Sequence, residues 1–355
     1  MNIKIITIHN IPNFGSVFQS YALANYIQSL GYDNVKIIDY NPSYFQKVSL
    51  KAFVGRIINL PHYISRQRKF RKFVEKNIPL TECRYATTRK LSSLNSETDL
   101  FISGGDQLWN VFHDCGHDDA YKLTWAKGKK ISYATSLGQK NFSEAELADL
   151  SDKISDYRYI SVRESSSVEL LKKKSLVAFQ CVDPVFLLSA KHYLRFVKPI
   201  KEKKYALVYL VTPSNLLNDC IEIISKKMGL SIILCSGFSK KCYCDRFYKD
   251  LGPDEILSYI YHADIVLSSS FHATSFSLMF EKQFFTILPN EHTNERIEDL
   301  LSIRGLTNRI ITDTDNLQNK LEQKIDYSHK TDQYDLLIRD SKDYLLRSLK
   351  DAETD

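Results

Sequence analysis

Four short segments combine residue types that can move protons or hold anions. In the stretch from Ala263 to Lys282 (ADIVLSSSFHATSFSLMFEK), a strand pattern ends in Ser268, Ser269 and Ser270, His272 falls in the first turn of a helix, and Thr274 follows. A helix N-terminus disfavours imidazolium and a bound polyanion favours it, so ligand binding would charge the group that gives up a proton. That behaviour suits a general acid. A lone histidine is more often structural, but this one sits in a hydroxyl-rich loop at a helix start.

Arg163 directly follows the strand pattern Tyr159 to Val162 and precedes Glu164 and three serines that open a helix. At a strand's C-terminal edge a guanidinium presents a bidentate donor to carboxylate or phosphate. A salt bridge to Glu164 or another acid is the structural alternative. The segment from Phe101 to Asn110 (FISGGDQLWN) ends a strand on paired glycines and then presents Asp106, Gln107, Trp109 and Asn110. Carboxylate beside indole suits a sugar, the ring against C–H faces and the acid ordering hydroxyls. The same residues equally suit a helix N-cap by Asp106 with Trp109 in the core. The loop Asn10 to Ser16 (NIPNFGS) leads from a strand into a helix, where amides near Gly15 and Ser16 could hold an anion. It has neither a P-loop lysine nor a dinucleotide fingerprint, and a plain tight turn explains it as well.

A metal reading of His113 to Asp119 (HDCGHDD) has no second cluster to complete it, so no metal is expected. Seven cysteines at irregular spacing, with Cys242 and Cys244 one residue apart, indicate neither a disulfide framework nor a zinc ribbon.

These segments need strands ending at one edge and helices starting there. Ile3 to Ile8, a turn from His9 to Gly15, a helix from Ser16 ending near Gly31, and the run Val35 to Ile38 form a βαβ unit. Strands follow at Leu100 to Ser103, Lys130 to Ala134 and Tyr159 to Val162, with helices at Ser143 to Arg158 and Ser165 to Lys174. After a charged link near 189–204 the alternation restarts with strands at Tyr205 to Val211, Ser231 to Cys235, Asp264 to Leu267 and Gln283 to Leu288. Between them, helices are expected at Leu216 to Met228, Pro253 to His262 and Ala273 to Lys282. The fold class is therefore α/β, with two doubly wound Rossmann-like domains at 1–195 and 204–320. A C-terminal helix at 330–350, carrying Leu336, Leu337, Leu345, Leu346 and Leu349, is expected to pack back on the first domain.

With 355 residues, 43% hydrophobic and 25% charged, the chain buries ample core and is not of disordered, collagenous or solenoid type. A net charge of +6 is below that of a dedicated nucleic-acid binder, and no nucleic-acid partner is expected. Charge concentrates in the stretch 43–76, assigned to the first domain, where Lys47, Lys51, Arg56, Arg66, Arg68, Lys69, Arg71, Lys72 and Lys76 face a single acid, Glu75. This is either a solvated helix face or a contact for an anionic partner. No run of about eighteen apolar residues occurs, and the N-terminus lacks a signal-peptide core. A reduced, cytoplasmic, soluble enzyme is the expectation.

Taken in order, Asn13 to Leu23 (NFGSVFQSYAL), Ile102 to Asn110 (ISGGDQLWN), Ile131 to Gly138 (ISYATSLG), Ile160 to Glu164 (ISVRE), Val182 to Leu188 (VDPVFLL) and Ser269 to Thr274 (SSFHAT) resemble the polysaccharide pyruvyl transferase family. The resemblance implies a fold similar to two-domain glycosyltransferases of the B type. It implies transfer of a pyruvyl group from phosphoenolpyruvate to two hydroxyls of a sugar, making a cyclic ketal and releasing phosphate without a metal or organic cofactor. By position, His272 matches the family's catalytic histidine and Arg163 an arginine that grips the donor. Gly15, Ser16, Ser269, Ser270 and Thr274 are then expected at the donor, and Asn13, Asp106, Gln107 and Trp109 at the acceptor. Where some members carry Arg-Leu-His, this chain has Ser270, Phe271 and His272.

The implied acceptor is a saccharide or lipid-linked saccharide, a precursor of capsule, exopolysaccharide or another surface glycan. With a lipid-linked acceptor, the basic stretch would hold the enzyme peripherally at the inner membrane face. Two other readings share the architecture: a glycosyltransferase with a nucleotide-sugar donor, and a non-catalytic glycan-binding protein.

Overall fold

The computed structural model describes residues 1–46, 49–139, 141–209, 215–235, 237, 242–288, 294–328 and 332–354, and for residues 50–52 the backbone alone. Lys47, the side chain of Lys51, and Leu210 and Val211 at the end of one expected strand lie outside the described residues. The chain divides into two compact units, one of Met1–Lys47, Val74–Leu188 and Asp332–Asp355, the other of Val48–Phe73 and Ser189–Thr331.

The described strands in chain order are β1 (Ile3–Ile6), β2 (Val35–Tyr40), β3 (Leu80–Tyr85), β4 (Leu100–Gly104), β5 (Lys129–Tyr133), β6 (Ile160–Val162), β7 (Ala178–Gln180), β8 (Tyr205–Tyr209), β9 (Ser231–Cys235), β10 (Arg246–Tyr248), β11 (Ile265–Ser268) and β12 (Gln283–Thr286). The helices are α1 (Phe14–Ser29), α2 (Leu50–Ile58), α3 (Leu60–Asn77), α4 (Thr88–Leu91), α5 (Glu144–Ile154), α6 (Ser165–Lys172), α7 (Ala190–Tyr193), α8 (Asn215–Met228), α9 (Pro253–His262), α10 (Phe271–Met279), α11 (Glu295–Ile303), α12 (Thr314–Lys320) and α13 (Asp332–Thr354).

In the first unit all pairings are parallel, in the order β3-β2-β1-β4-β5. Bridges from Ile131 to Tyr159 and from Thr135 to Val162 bring β6 alongside β5, and β7 pairs with β6. Every residue of β1 and β4 is buried, as a parallel sheet covered on both faces requires. The order reverses direction between β1 and β4, so their C-terminal ends open a crevice at a topological switch point. The second unit repeats the plan as β10-β9-β8-β11-β12, again all parallel, with its switch between β8 and β11. The expected α/β class with two doubly wound units is what the chain forms.

Local signals set several helix starts. Asn13 caps α1 by accepting from the Gly15 amide at 3.0 Å. Ser143 and Glu146 close a capping box on α5, and Pro253 opens α9. The last helix, α13, docks on the first unit through Tyr344, whose hydroxyl donates to the Ser132 carbonyl at 2.9 Å, and through Ser341, which accepts from the Val182 amide at 2.9 Å. Leu345 and Leu349 are buried there while Leu336 is exposed.

The limits of the units differ from those read off the sequence, because residues 48–73 and 189–195 group with the second unit. The cause lies on α3, which turns Phe73 onto Phe196 with ring centroids 5.1 Å apart and pairs Lys69 with Glu255 at 2.8 Å.

Candidate active site

In the first unit the loop after β4 meets the start of α1. Gly105 has φ +91°, and a Cβ there would fall 1.9 Å from Oε1 of Gln19, so only glycine lets the two approach. The chain then delivers Asp106, which is almost fully buried. Its Oδ2 accepts from the Ser16 hydroxyl at 2.7 Å and its Oδ1 from the Gln107 amide at 2.8 Å. No helix follows Asp106, so it is not a helix N-cap; the carboxylate ties two segments together across the switch point.

Arg163, at the end of β6, departs from the expected donor grip. Its Nη2 lies 2.7 Å from Oδ2 of Asp183, both side chains being buried, and the same group donates to the Gly105 carbonyl. The guanidinium therefore spends its charge on a carboxylate of its own unit and holds the glycine turn before Asp106. Glu164 does not share in that pair; it accepts from the Ser136 hydroxyl, the Leu137 amide at 3.3 Å and the Ser167 hydroxyl at 3.1 Å.

Trp109 is no sugar platform. It has no exposed surface, its Nε1 donates to the Tyr121 carbonyl at 3.3 Å, and its ring meets Tyr157 edge-on at 6.0 Å inside the core. The Asn13 side-chain oxygen accepts from the Gly15 amide as the α1 cap, which commits that amide and that oxygen to the helix start. Gln107 is half-buried, with its side-chain oxygen 3.0 Å from Nε2 of His113. Burial, followed by the charge of Asp106, pushes the nearby Cys115 thiol up to about 12, so it stays protonated at neutral pH.

Several buried polar groups here were not singled out in the sequence. Gln19 Nε2 donates to the Thr7 hydroxyl at 2.8 Å, and Ser20 donates to the Ile8 carbonyl at 3.1 Å. Ser16, Gln19 and Ser20 form an i, i+3, i+4 polar stripe in the otherwise apolar stretch of α1 before Asn25, which is a readable signal of a site facing that side. At the end of β1, His9 places its Nε2 3.4 Å from Asp39, and Arg84 reaches the same carboxylate at 2.9 Å. Gln139, past β5, is 3% exposed and neither of its side-chain amide atoms has a hydrogen-bond partner among the described residues. A buried amide in that state is suited to a polar ligand. Among the described residues no group of His, Cys, Asp or Glu side chains is arranged to hold a metal ion.

In the second unit His272 is the second residue of α10, 6% exposed, with its ring edge-on to Phe271 at 5.2 Å. The hydroxyls around it build the loop. Ser268 donates to the Tyr209 carbonyl at 2.9 Å and accepts from the Ser270 amide at 2.9 Å, and Ser270 caps α10 by accepting from Ala273 at 3.4 Å. Thr274 donates to the Ser270 carbonyl at 3.0 Å and its oxygen lies 2.9 Å from that of Thr286. Ser269 is buried beside them, its amide bonded to the Tyr209 carbonyl at 3.3 Å. Ser270 and Thr274 thus shape the turn that presents His272, which leaves less of each hydroxyl for a donor than the sequence suggested. One cation was missed: Arg296 on α11 sets its guanidinium 5.5 Å from the ring centroid of Phe271, the residue before His272 in the chain.

Both units accordingly place their most chemically capable loop after the strand beyond the switch, Asp106 after β4 and His272 after β11. One set gathers Asn13, Gly15, Ser16, Asp106, Gln107 and Arg163; the other gathers Ser269, Ser270, His272 and Thr274.

A family model described as polysaccharide pyruvyl transferase matches residues 13–291. No curated protein matches the chain by sequence. Among solved structures the chain is similar to UDP-GlcNAc 2-epimerase from Methanocaldococcus jannaschii, with TM-score 0.63 and 13% identity over 99% of each chain. It is also similar to UDP-N-acetylglucosamine 2-epimerase from Rickettsia bellii, with TM-score 0.61 and 12% identity over 98% of this chain and 95% of that one. A putative UDP-N-acetylglucosamine 2-epimerase from Listeria monocytogenes gives 0.62 at 9% identity over 100% and 98%. At such identities the likeness is one of fold, the architecture of B-type glycosyltransferases.

Proposed function

The chain belongs to the polysaccharide pyruvyl transferase family, and from that premise we propose that it transfers a pyruvyl group from phosphoenolpyruvate to two hydroxyls of a saccharide, forming a ketal and releasing phosphate. The observation that carries this reading is His272, a titratable side chain buried in the first turn of α10, in a loop whose hydroxyls bond to its backbone. A proton donor in a dry, preorganised setting is what protonation of an enol phosphate at carbon requires.

In the proposed sequence His272 protonates the methylene carbon, the C–C double bond becomes a single bond, and C2 gains oxocarbenium character. One sugar hydroxyl adds to C2 and its proton passes to water, from which the imidazole of His272 is reprotonated. A second hydroxyl then attacks C2, the C–O bond to phosphate breaks, and the proton of that hydroxyl leaves with the phosphate or to water. Nothing is oxidised or reduced, and no metal or organic cofactor takes part in this scheme. Arg296 is the proposed counter-cation for the donor's carboxylate or phosphate, taking the place that an arginine before the histidine fills in other members. Asp106, oriented by Ser16, is the proposed acceptor-side group. Arg163 is a positioning residue, since its contacts are to Gly105 and Asp183.

The test is phosphate release from phosphoenolpyruvate with a panel of sugars and lipid-linked saccharides, comparing the native chain with His272→Ala and Arg296→Gln. Acceptor-dependent release is expected, falling by about a hundredfold or more without the general acid. Loss of the anion contact should raise the donor KM by about tenfold or more. Binding of a nucleotide sugar with no response to phosphoenolpyruvate would replace this reading by glycosyl transfer.

A further inference from the structure

Helix α2 and the first part of α3 carry a line of apolar side chains that no element of the described chain covers. Phe53, Val54, Ile57 and Ile58 on α2 are 51, 46, 56 and 74% exposed, and Leu60 and Ile64 on α3 are 47 and 55% exposed. Along α3 the same stripe continues at a spacing of four through Arg68 to Lys72, with Arg71 beside it, all three exposed. The other side of α3 is fastened to its own unit: Lys69 lies 2.8 Å from Glu255, His62 3.6 Å from Asp250, and Phe73 packs on Phe196. The helix pair is therefore held in place while its outer face stays in water.

A contiguous exposed apolar line next to concentrated positive charge marks an interaction surface. From residue 50 to residue 72 there is no acid, against Lys51, Arg56, Arg66, Arg68, Lys69, Arg71 and Lys72. A second copy of the chain, meeting this face symmetrically, would set one cationic stripe against another. A nucleic acid would answer the charge and leave the phenylalanine and isoleucines uncovered. A bilayer with anionic lipids satisfies both, apolar side chains entering the boundary between headgroups and acyl chains and cations meeting the phosphates. Among the described residues no helix is long and apolar enough to cross a membrane, so the contact is with one surface.

We infer that α2 and α3 form a peripheral docking surface for an anionic lipid bilayer, with Phe53, Ile57 and Ile58 as the inserting side chains and Arg68, Arg71 and Lys72 as the headgroup contacts. The inference goes beyond the catalytic reading and does not depend on it.

The experiment is co-sedimentation of the full chain with phosphatidylcholine vesicles and with vesicles of equal phosphatidylcholine and phosphatidylglycerol, at low and high salt. Binding to the anionic vesicles alone, weakened by salt, is expected. The variant R68Q/R71Q/K72Q should bind about a hundredfold more weakly, at about fivefold per charge removed. F53S/I57S/I58S should lose more than about tenfold even at low salt. Ile58→Trp supplies a direct readout, its added emission moving to the blue on anionic vesicles. Equal binding to neutral vesicles, no binding, an unmoved Trp emission, or an apolar variant that binds like the native chain would each overturn the inference. So would light scattering that finds a dimer in the native chain and a monomer in the apolar variant, since that assigns the face to a second copy.

Discussion

The hydroxyl of Ser16 donates to the carboxylate of Asp106 over 2.7 Å, joining the start of α1 to the loop after β4 across the switch point of the first sheet. Both side chains are buried, so the bond is shielded from water and from screening. Asp106→Ala strands the serine hydroxyl and the Gln107 amide and should cost about 1–3 kcal/mol in urea unfolding. Asp106→Asn keeps the shape and should cost less, while lowering turnover through the lost charge. Equal turnover in Asp106→Asn and the native enzyme would remove Asp106 from the chemistry.

Arg163 and Asp183 form a buried ion pair, so each should be worth more to the other than to the fold. Removing one partner leaves an uncompensated buried charge, and Arg163→Met or Asp183→Asn alone should destabilise by about 3–5 kcal/mol. The double variant should be less destabilised than the sum of the two. Additive losses in the cycle would mean that Arg163 does its work elsewhere.

Trp109 supports the core and not the acceptor. Trp109→Ala should lose about 3–5 kcal/mol of stability. Trp109→Phe, which keeps most of the volume, should leave the acceptor KM unchanged. A large rise in that KM with little change in unfolding would restore the stacking role.

Asp39 gives the first unit an acid-sensitive point. Burial raises its pKa, but the hydrogen bonds and charges of His9 and Arg84 outweigh that and hold the carboxyl below its ordinary value. A lowered native pKa means that the stabilisation is fully present above the unfolded value and is lost as pH falls through the native one. Asp39→Asn should therefore be less stable than the native chain at neutral pH, and the gap should close as the two are unfolded in increasingly acidic buffers. A gap that stays constant with pH would disconnect Asp39 from acid unfolding.

Much of this architecture is visible in the residue pattern because parallel strands buried on both faces read as unbroken apolar runs. The runs Ile3 to Ile8, Leu100 to Ser103 and Asp264 to Leu267 read that way, and they hold all or most of β1, β4 and β11. The edge strands β3 and β10 were not, since LTECRY and RFY carry the charges that edges use to stay unpaired and have little apolar signal. A position at a strand end is easier to read from sequence than the partner a side chain finds there. The segments holding Asp106, Arg163 and His272 do follow the C-terminal ends of β4, β6 and β11, but spacing alone cannot say that Arg163 finds Asp183, twenty residues on, or that Trp109 turns inward. Arg296 lay beyond reach for the same reason, being brought near Phe271 by the packing of α11 and not by any local pattern.

The docking of α13 bears on the order in which the chain is made. The first unit is assembled from three separated stretches, and the last, beginning at Asp332, provides Tyr344, Leu345 and Leu349 to cover β5 and its neighbours. Every residue of the second unit precedes Asp332, so during synthesis the second unit is complete while the first still lacks its final helix. Domains made in one piece fold from the N-terminus onward. Here the unit that starts first closes last, and until α13 leaves the ribosome the surface around Ser132 and Tyr133 lacks the cover that Tyr344 gives it.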